Sequence, residues 1–199
     1  MRTRASYHHG DLRAALVAAA VGAARAGGPD AVKLTALAAE VGVSAAAAYR
    51  RFPDGLEDLL RATGDVARAE LADRIARKVA AVRGSDPADV ARRRFRASGL
   101  AYVEYVSEQP GLFAVAQRHP SCLPPGEAPD PHGLLEQRLD ALVVEGLLPA
   151  ERRPLASVAA WAAVHGLALL LAEGALAQLP AAQRRQAVDR TLDMVERGL

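Results

Sequence analysis

Apolar residues recur along this chain with the period of an α-helix, and glycine or proline interrupts the pattern wherever that period breaks. Leu12, Leu16, Ala19 and Ala23 share one face of a first predicted helix, which Gly27-Gly28-Pro29 ends. A short second helix, capped by Thr35, carries Leu37, Ala38 and Val41 and stops at Gly42. Ser44 caps a third, Ala45–Arg51, and Pro53 ends it because the residue before a proline is pushed out of the helical region.

A long fourth helix follows, with a stripe from Leu56 and Leu60 through Ala67, Leu71 and Ile75 to Val79 and Val82. Asp86-Pro87 caps and opens a fifth, with Ala91, Phe95, Ser98, Tyr102 and Tyr105 on one face. Pro110 starts a short sixth helix through Gln117. After a proline-rich loop, 119–131, Asp130-Pro131 opens a seventh that ends near Gly146. Two final helices, about 154–178 and 181–197, read as the most apolar of the set. No stretch alternates with period two long enough for a strand, so the fold class is all-α, with about nine helices. The composition shifts after Pro53, which divides the chain into a head, 1–53, and a body, 54–199.

Half the residues are apolar, enough for a substantial core, and the 4% aromatic content favours helix over sheet. The net charge of +2 is unevenly spread. Through Pro53, seven basic residues stand against three acidic ones, so the head carries an excess of four and the body is slightly acidic. A basic head suits a polyanion, although solvated surface charge gives the same asymmetry. Cys122 is the only cysteine, which excludes an intramolecular disulfide and fits a reducing cytoplasm. The start of the chain lacks the apolar stretch of a signal peptide. The longest apolar run, Trp161 to Ala172, is too short to cross a bilayer, so no membrane partner is expected.

Leu37-Ala38-Ala39-Glu40-Val41-Gly42-Val43-Ser44 has the character of a helix-turn-helix. Ala38 is small where two helices cross, Gly42 supplies a left-handed turn, and Ser44 caps the helix that would enter a major groove. Taken alone, the segment equally suits a helical hairpin in a core. Its surroundings resemble the TetR family of transcription regulators. Ser44-Ala-Ala-Ala-Ala-Tyr49-Arg50-Arg51-Phe52-Pro53-Asp54 is similar to the family's recognition helix, a serine or threonine before a run of small residues and then Tyr-x-x-Phe. Tyr7-His8-His9-Gly10-Asp11-Leu12-Arg13 resembles the start of its first helix in one branch. Gln109-Pro110-Gly111-Leu112-Phe113 extends the likeness, and Trp161-Ala-Ala-Val-His165-Gly166 resembles the Trp-x-x-x-His-Gly signature of one class of C-terminal domain.

The resemblance implies a ligand-responsive regulator, commonly a repressor, that binds a palindromic double-stranded DNA operator as a dimer. Tyr49 then corresponds to a phosphate-contacting tyrosine, though a packing aromatic would look the same. Thr35 offers a hydroxyl and free backbone N–H groups to a second phosphate, with Lys33, Arg50 and Arg51 adding charge. Ser44, Ala45 and Ala46 would face the bases, where alanine methyls read little beyond thymine methyls and shape. Arg2 and Arg4 suit an arm entering a minor groove. The family's usual lysine at the head of the fourth helix is replaced here by Gly55, so that contact is either missing or supplied by Arg50, Arg51 or Arg61.

By the same resemblance the body holds a cavity for a small, largely apolar effector. Tyr102, Tyr105, Phe113, Gln117, Trp161 and His165 are its expected lining, although taken one at a time the aromatics and the histidine more often belong to an ordinary core. The last two helices would pair with a second copy, Gly166 and the alanines allowing close approach. Two rival readings compete with this one. An all-α enzyme lacks support: the five histidines have no metal-ligand spacing, Cys122 has no partner base, and no phosphate-binding glycine loop occurs, so neither cofactor nor metal is expected. A sequence-tolerant architectural DNA-binding protein without a ligand would not need so large an apolar body.

Overall fold

The computed structural model describes residues 12–121, 123, 127 and 130–199. The Tyr7–Asp11 motif, the arginine arm and Cys122 lie outside the described residues. Within them the chain forms nine α-helices and no strand: α1 (Leu12–Gly27), α2 (Leu34–Val41), α3 (Ala45–Arg51), α4 (Leu56–Ala81), α5 (Pro87–Glu108), α6 (Pro110–Arg118), α7 (Pro131–Val144), α8 (Ala156–Ala172) and α9 (Ala181–Gly198). Single turns of 3-10 helix lie at Pro29–Ala31 and Ala150–Arg152. No helix among the described residues is long and apolar enough to cross a membrane.

The expected caps form at two places. Ser44 Oγ accepts the Ala47 N–H at 3.2 Å, and Asp86 accepts from the Ala88 N–H at 3.1 Å with Pro87 in the first turn. Thr35 does not cap α2. The N-cap is Lys33, whose side chain makes no cap bond, so Thr35 lies inside the first turn. The eighth helix is shorter than its apolar run suggested. It begins after Leu155, a non-glycine residue at φ 65°, and ends at Ala172. A Cβ on Gly174 would fall 2.7 Å from the Leu170 Cα, so the chain folds back against its own last turn there.

Contacts divide the chain into two compact units, one of residues 1–67 with 111–128 and one of 68–110 with 129–199. The boundary falls inside the continuous helix α4, again after the first residue of α6, and a third time before α7. The first unit packs Leu16, Ala20 and Ala24 of α1 against Leu34, Leu37 and Ala38 of α2, Ala48 and Phe52, and Leu59 of α4. Helix α6 adds the fully buried Leu112 and Val115 to the same core. Arg13 lies over the buried Phe52 ring, 5.1 Å from its centroid.

In the second unit, Phe95, Leu139, Leu142, Leu148, Ala156 and Ala160 build a core among α5, α7 and α8. Ion pairs brace its helices. Arg74 and Lys78 of α4 reach Glu104 and Glu108 of α5, Arg96 bridges to Asp189, Asp193 and Glu196 of α9, and Arg153 holds Asp140 and Glu136 of α7. Each bridges partly exposed groups and contributes about 1 kcal/mol or less, which orients helices more than it stabilises them.

Candidate functional site

In the first unit, α2, a glycine turn and α3 form a helix-turn-helix. Gly42 occupies the left-handed region at φ 81°, its N–H donating to the carbonyls of the last turn of α2. The Val43 N–H closes onto the Ala38 carbonyl at 2.9 Å. Any residue with a Cβ would be strained at Gly42, so the angle between the helices depends on that glycine. Ala48 faces inward, fully buried. Ser44, Ala45, Ala46, Tyr49, Arg50 and Arg51 are all exposed, as are Lys33 and Thr35 at the start of α2. All eight sequence-predicted DNA-contacting residues thus lie on solvent-accessible parts of one supersecondary motif. The first turn of α3 has unmade backbone N–H groups beside its cap, and two arginines follow Tyr49.

The turn from α3 to α4 explains the missing lysine. Gly55 sits at φ 65°, and a Cβ there would lie 3.1 Å from the Tyr49 ring. Tyr49 therefore leans over a position that has no room for a side chain without movement of the ring. The Gly55 N–H donates to the Phe52 carbonyl at 2.8 Å, closing the turn. Arg61 is engaged within its own turn. Its guanidinium is bound to Asp54 at 2.7 Å and to Asp58 at 2.5 Å, while Asp58 also accepts the Asp54 N–H at 2.8 Å. That backbone bond, and then Arg61, hold the Asp58 carboxyl below its usual pKa, and the bonds to Asp58 and Asp54 raise that of Arg61. Arg50 and Arg51 lie exposed in the last turn of α3.

The second unit contains a cavity whose wall includes Tyr102 and Gly99 of α5 and Trp161 and His165 of α8, with Ile75, Phe95 and Leu135 around them. Tyr102 Oη and His165 Nδ1 are 2.8 Å apart and hydrogen-bonded. Trp161 packs edge-on against Tyr102 at 5.6 Å between centroids and lies 5.8 Å from His165. Burial lowers the proton affinity of His165 and raises the pKa of Tyr102, so both are neutral at physiological pH. With the imidazole neutral, the phenol can donate to Nδ1. Ser98 turns its hydroxyl onto the Phe95 carbonyl at 2.6 Å, so it is satisfied within its own helix.

Of the six residues expected to line a cavity, three do: Tyr102, Trp161 and His165. Tyr105 is buried elsewhere, its hydroxyl pointing to Glu70 at 3.4 Å. Phe113 and Gln117 belong to α6, which packs into the first unit, Phe113 buried and Gln117 exposed. Periodicity places residues on a helix face, but it does not tell which core that helix joins. His132, not anticipated, packs at a tilt against Trp161 with 5.2 Å between ring centroids. The cavity has a volume of about 40 Å³. That holds water but no small organic molecule, for which sites of about 300 Å³ or more are usual. A ligand would have to push the lining side chains outward.

Helix α8 is apolar all round, and its outer stripe is open. Leu155 and Val158 are 76% and 58% exposed, followed by Ala162, Leu169 and Leu170, and the space beside Gly166 is empty. A soluble chain rarely leaves such a stripe uncovered. Helix α9 differs from expectation. Its outer face is polar, with Arg185, Gln186, Asp189 and Arg190 exposed, and Met194 is its exposed large apolar residue. Val188, Leu192 and Val195 turn inward, so the apolar residues counted along α9 are spent on its own core.

Residues 16–63 match the family described as bacterial regulatory proteins, tetR family, and residues 95–195 match the tetracyclin repressor-like C-terminal domain. No protein of curated function is a significant match in sequence. Among solved structures, a protein of unknown function from Rhodococcus sp. RHA1 is 29% identical, with a TM-score of 0.72 over 98% of this chain and 99% of that one. The TetR family transcriptional regulator PfmR from Thermus thermophilus shares the fold at 20% identity, with a TM-score of 0.59 over 92% and 98%. AibR, solved in complex with isovaleryl coenzyme A and operator DNA, shares it at 14% identity and a TM-score of 0.51 over 92% and 96%.

Proposed function

Because the chain belongs to the tetR family of bacterial regulatory proteins, we propose that it is a ligand-responsive repressor, a cytoplasmic protein that binds a palindromic operator as a homodimer. The observation that carries this reading is the exposed α3, capped by Ser44 and closed by Tyr49, Arg50 and Arg51. Its first turn meets base edges, with Ser44, Ala45 and Ala46 nearest to them. Tyr49 and Thr35 contact phosphates, and Lys33, Arg50 and Arg51 add salt-dependent affinity. So few hydrogen-bonding groups on α3 leave much of the sequence preference to DNA shape.

Residues through Pro53 bind DNA and the rest senses and dimerises, with α6 lending Leu112 and Val115 to the head's core. Two copies meet along the open stripe of α8, where Ala162 and Gly166 permit close backbone approach, and the polar outer face of α9 flanks it. The effector occupies the cavity around Tyr102, Trp161 and His165, and differential binding to one dimer geometry shifts the protein away from DNA. AibR, of the same fold, was solved with both isovaleryl coenzyme A and operator DNA bound, which supports a ligand and a DNA site on one such chain.

Selection of bound duplexes from a random pool tests the reading. An enriched inverted repeat, lost from the selection when Tyr49, Arg50 and Arg51 are replaced together by alanine, is the expected result. Enrichment without symmetry, or none, counts against a dimeric sequence-specific regulator and favours an architectural DNA-binding protein.

A further inference from the structure

Arg94 of α5 and Arg138 of α7 are partly buried, and neither forms an ion pair among the described residues. Their neighbours on the same helices behave otherwise: Arg93 and Arg96 of α5 are each held by carboxylates. The Nε of Arg94 is buried with no hydrogen-bond partner. Arg138 donates to the Gln137 side-chain oxygen at 3.3 Å and reaches no carboxylate. Burial, and then the charge of Arg94, hold the Arg138 guanidinium below its usual proton affinity. Two like charges, partly withdrawn from water with a donor left unmade, are costly unless an anion completes them.

Both arginines border two cavities in this unit. One, about 300 Å³, is otherwise walled by Ile75, Ala76, Val79, Ala80 and Leu134. The other, about 200 Å³, includes Glu145, which is exposed and ion-paired with neither arginine. The larger one therefore joins two planar, bidentate donors to an apolar wall. Ile75 also borders the cavity of Tyr102 and Trp161, so an apolar chain lying along it leads from the arginines toward the aromatic cluster.

We infer that Arg94 and Arg138 bind the acid group of an amphipathic organic acid, whose hydrocarbon part lies along Ile75, Val79 and Leu134. An inorganic anion satisfies the charges but leaves the apolar wall unused. A neutral apolar molecule uses the wall and leaves both guanidiniums uncompensated. That this acid is also the effector rests on the regulator reading above; the chemistry of the site does not.

Calorimetric titration of the full chain with decanoate, decanol, decylamine and inorganic phosphate tests the inference. Decanoate is expected to bind about tenfold or more tightly than decanol, decylamine or phosphate. Arg94→Gln and Arg138→Gln should each lower decanoate affinity about tenfold and leave decanol unchanged. The thermal midpoint of each unliganded variant should be equal to or above that of the wild type, since an uncompensated charge has been removed. Failure of decanoate to bind, equal binding of decanol or phosphate, or a carboxylate preference retained by both variants overturns the site. If decanoate binds as expected but leaves operator binding unchanged, the site stands and its role as effector site fails. If operator binding is selective while decanoate shows no preference, the site fails and the regulator stands.

Discussion

The backbone of Gly111, at the start of α6, lies so close to Ala24 near the end of α1 that a Cβ on Gly111 would sit 2.3 Å from the Ala24 carbonyl oxygen. The Gly28 backbone lies on the same side, its N–H donating to that carbonyl at 2.8 Å. Only a residue without a side chain lets α6 dock there and bury Leu112 and Val115. Helix α6 follows α5 with Gln109 alone between them and belongs to the same compact unit as α1.

Gly111→Ala is therefore expected to destabilise the protein by about 1–3 kcal/mol through overpacking against backbone that cannot give way. Urea denaturation followed by circular dichroism measures it. A midpoint unchanged from wild type would mean that α6 shifts freely and is not a fixed part of the head.

Restoring the family's lysine at position 55 is expected to harm rather than help. Gly55→Lys forces a side chain into a left-handed conformation and against the Tyr49 ring, at a cost of about 1 kcal/mol or more. Affinity for DNA should fall because Tyr49 is displaced, even though a cation has been added. Tighter binding with undiminished stability would show that the position is an ordinary vacant phosphate contact.

Stability should decline on acidification through His165. Burial depresses its pKa below the unfolded value of about 6.5. Above that value both states hold the ring neutral. As the pH falls through it toward the folded pKa, the unfolded state takes up the proton first, and stability is lost. The wild-type thermal midpoint should drop between neutral pH and pH values below about 6, and His165→Asn should flatten that part of the profile. An identical slope in the variant would assign the acid sensitivity to other groups.

The open face of α8 yields a prediction for assembly. Leu169→Glu or Gly166→Leu should shift the protein from dimer to monomer in sedimentation velocity, the first by burying a charge and the second by blocking close approach. Exposed α9 changes such as Arg190→Ala should have a much smaller effect. A dimer that survives both α8 variants would place the interface elsewhere.

Much of this was legible in the sequence because the signals were local. Gly42, Ser44, Asp86 and Pro87 act within one turn of chain, and each behaves as its chemistry requires. The exposed faces of α2 and α3 follow from helical period. What stayed hidden depends on contacts between distant segments. The sequence does not reveal that α6 joins the head, that Asp54 and Asp58 occupy Arg61, or that Arg94 and Arg138 meet without a carboxylate. Trp161 and His165 are readable as neighbours one turn apart, and the family resemblance puts Tyr102 in their cavity, but the hydrogen bond from Tyr102 to His165 depends on the crossing of α5 and α8.

Fluorescence anisotropy over a salt series, with DNA from upstream of the protein's own gene and a scrambled duplex as control, tests the central claim most directly. The account predicts selective binding whose log affinity falls with log salt by about 0.9 per phosphate contact, and a slope lowered by about one in Arg51→Ala. Equal, weak binding to both duplexes, with a slope unmoved by the Arg51 substitution, would contradict it.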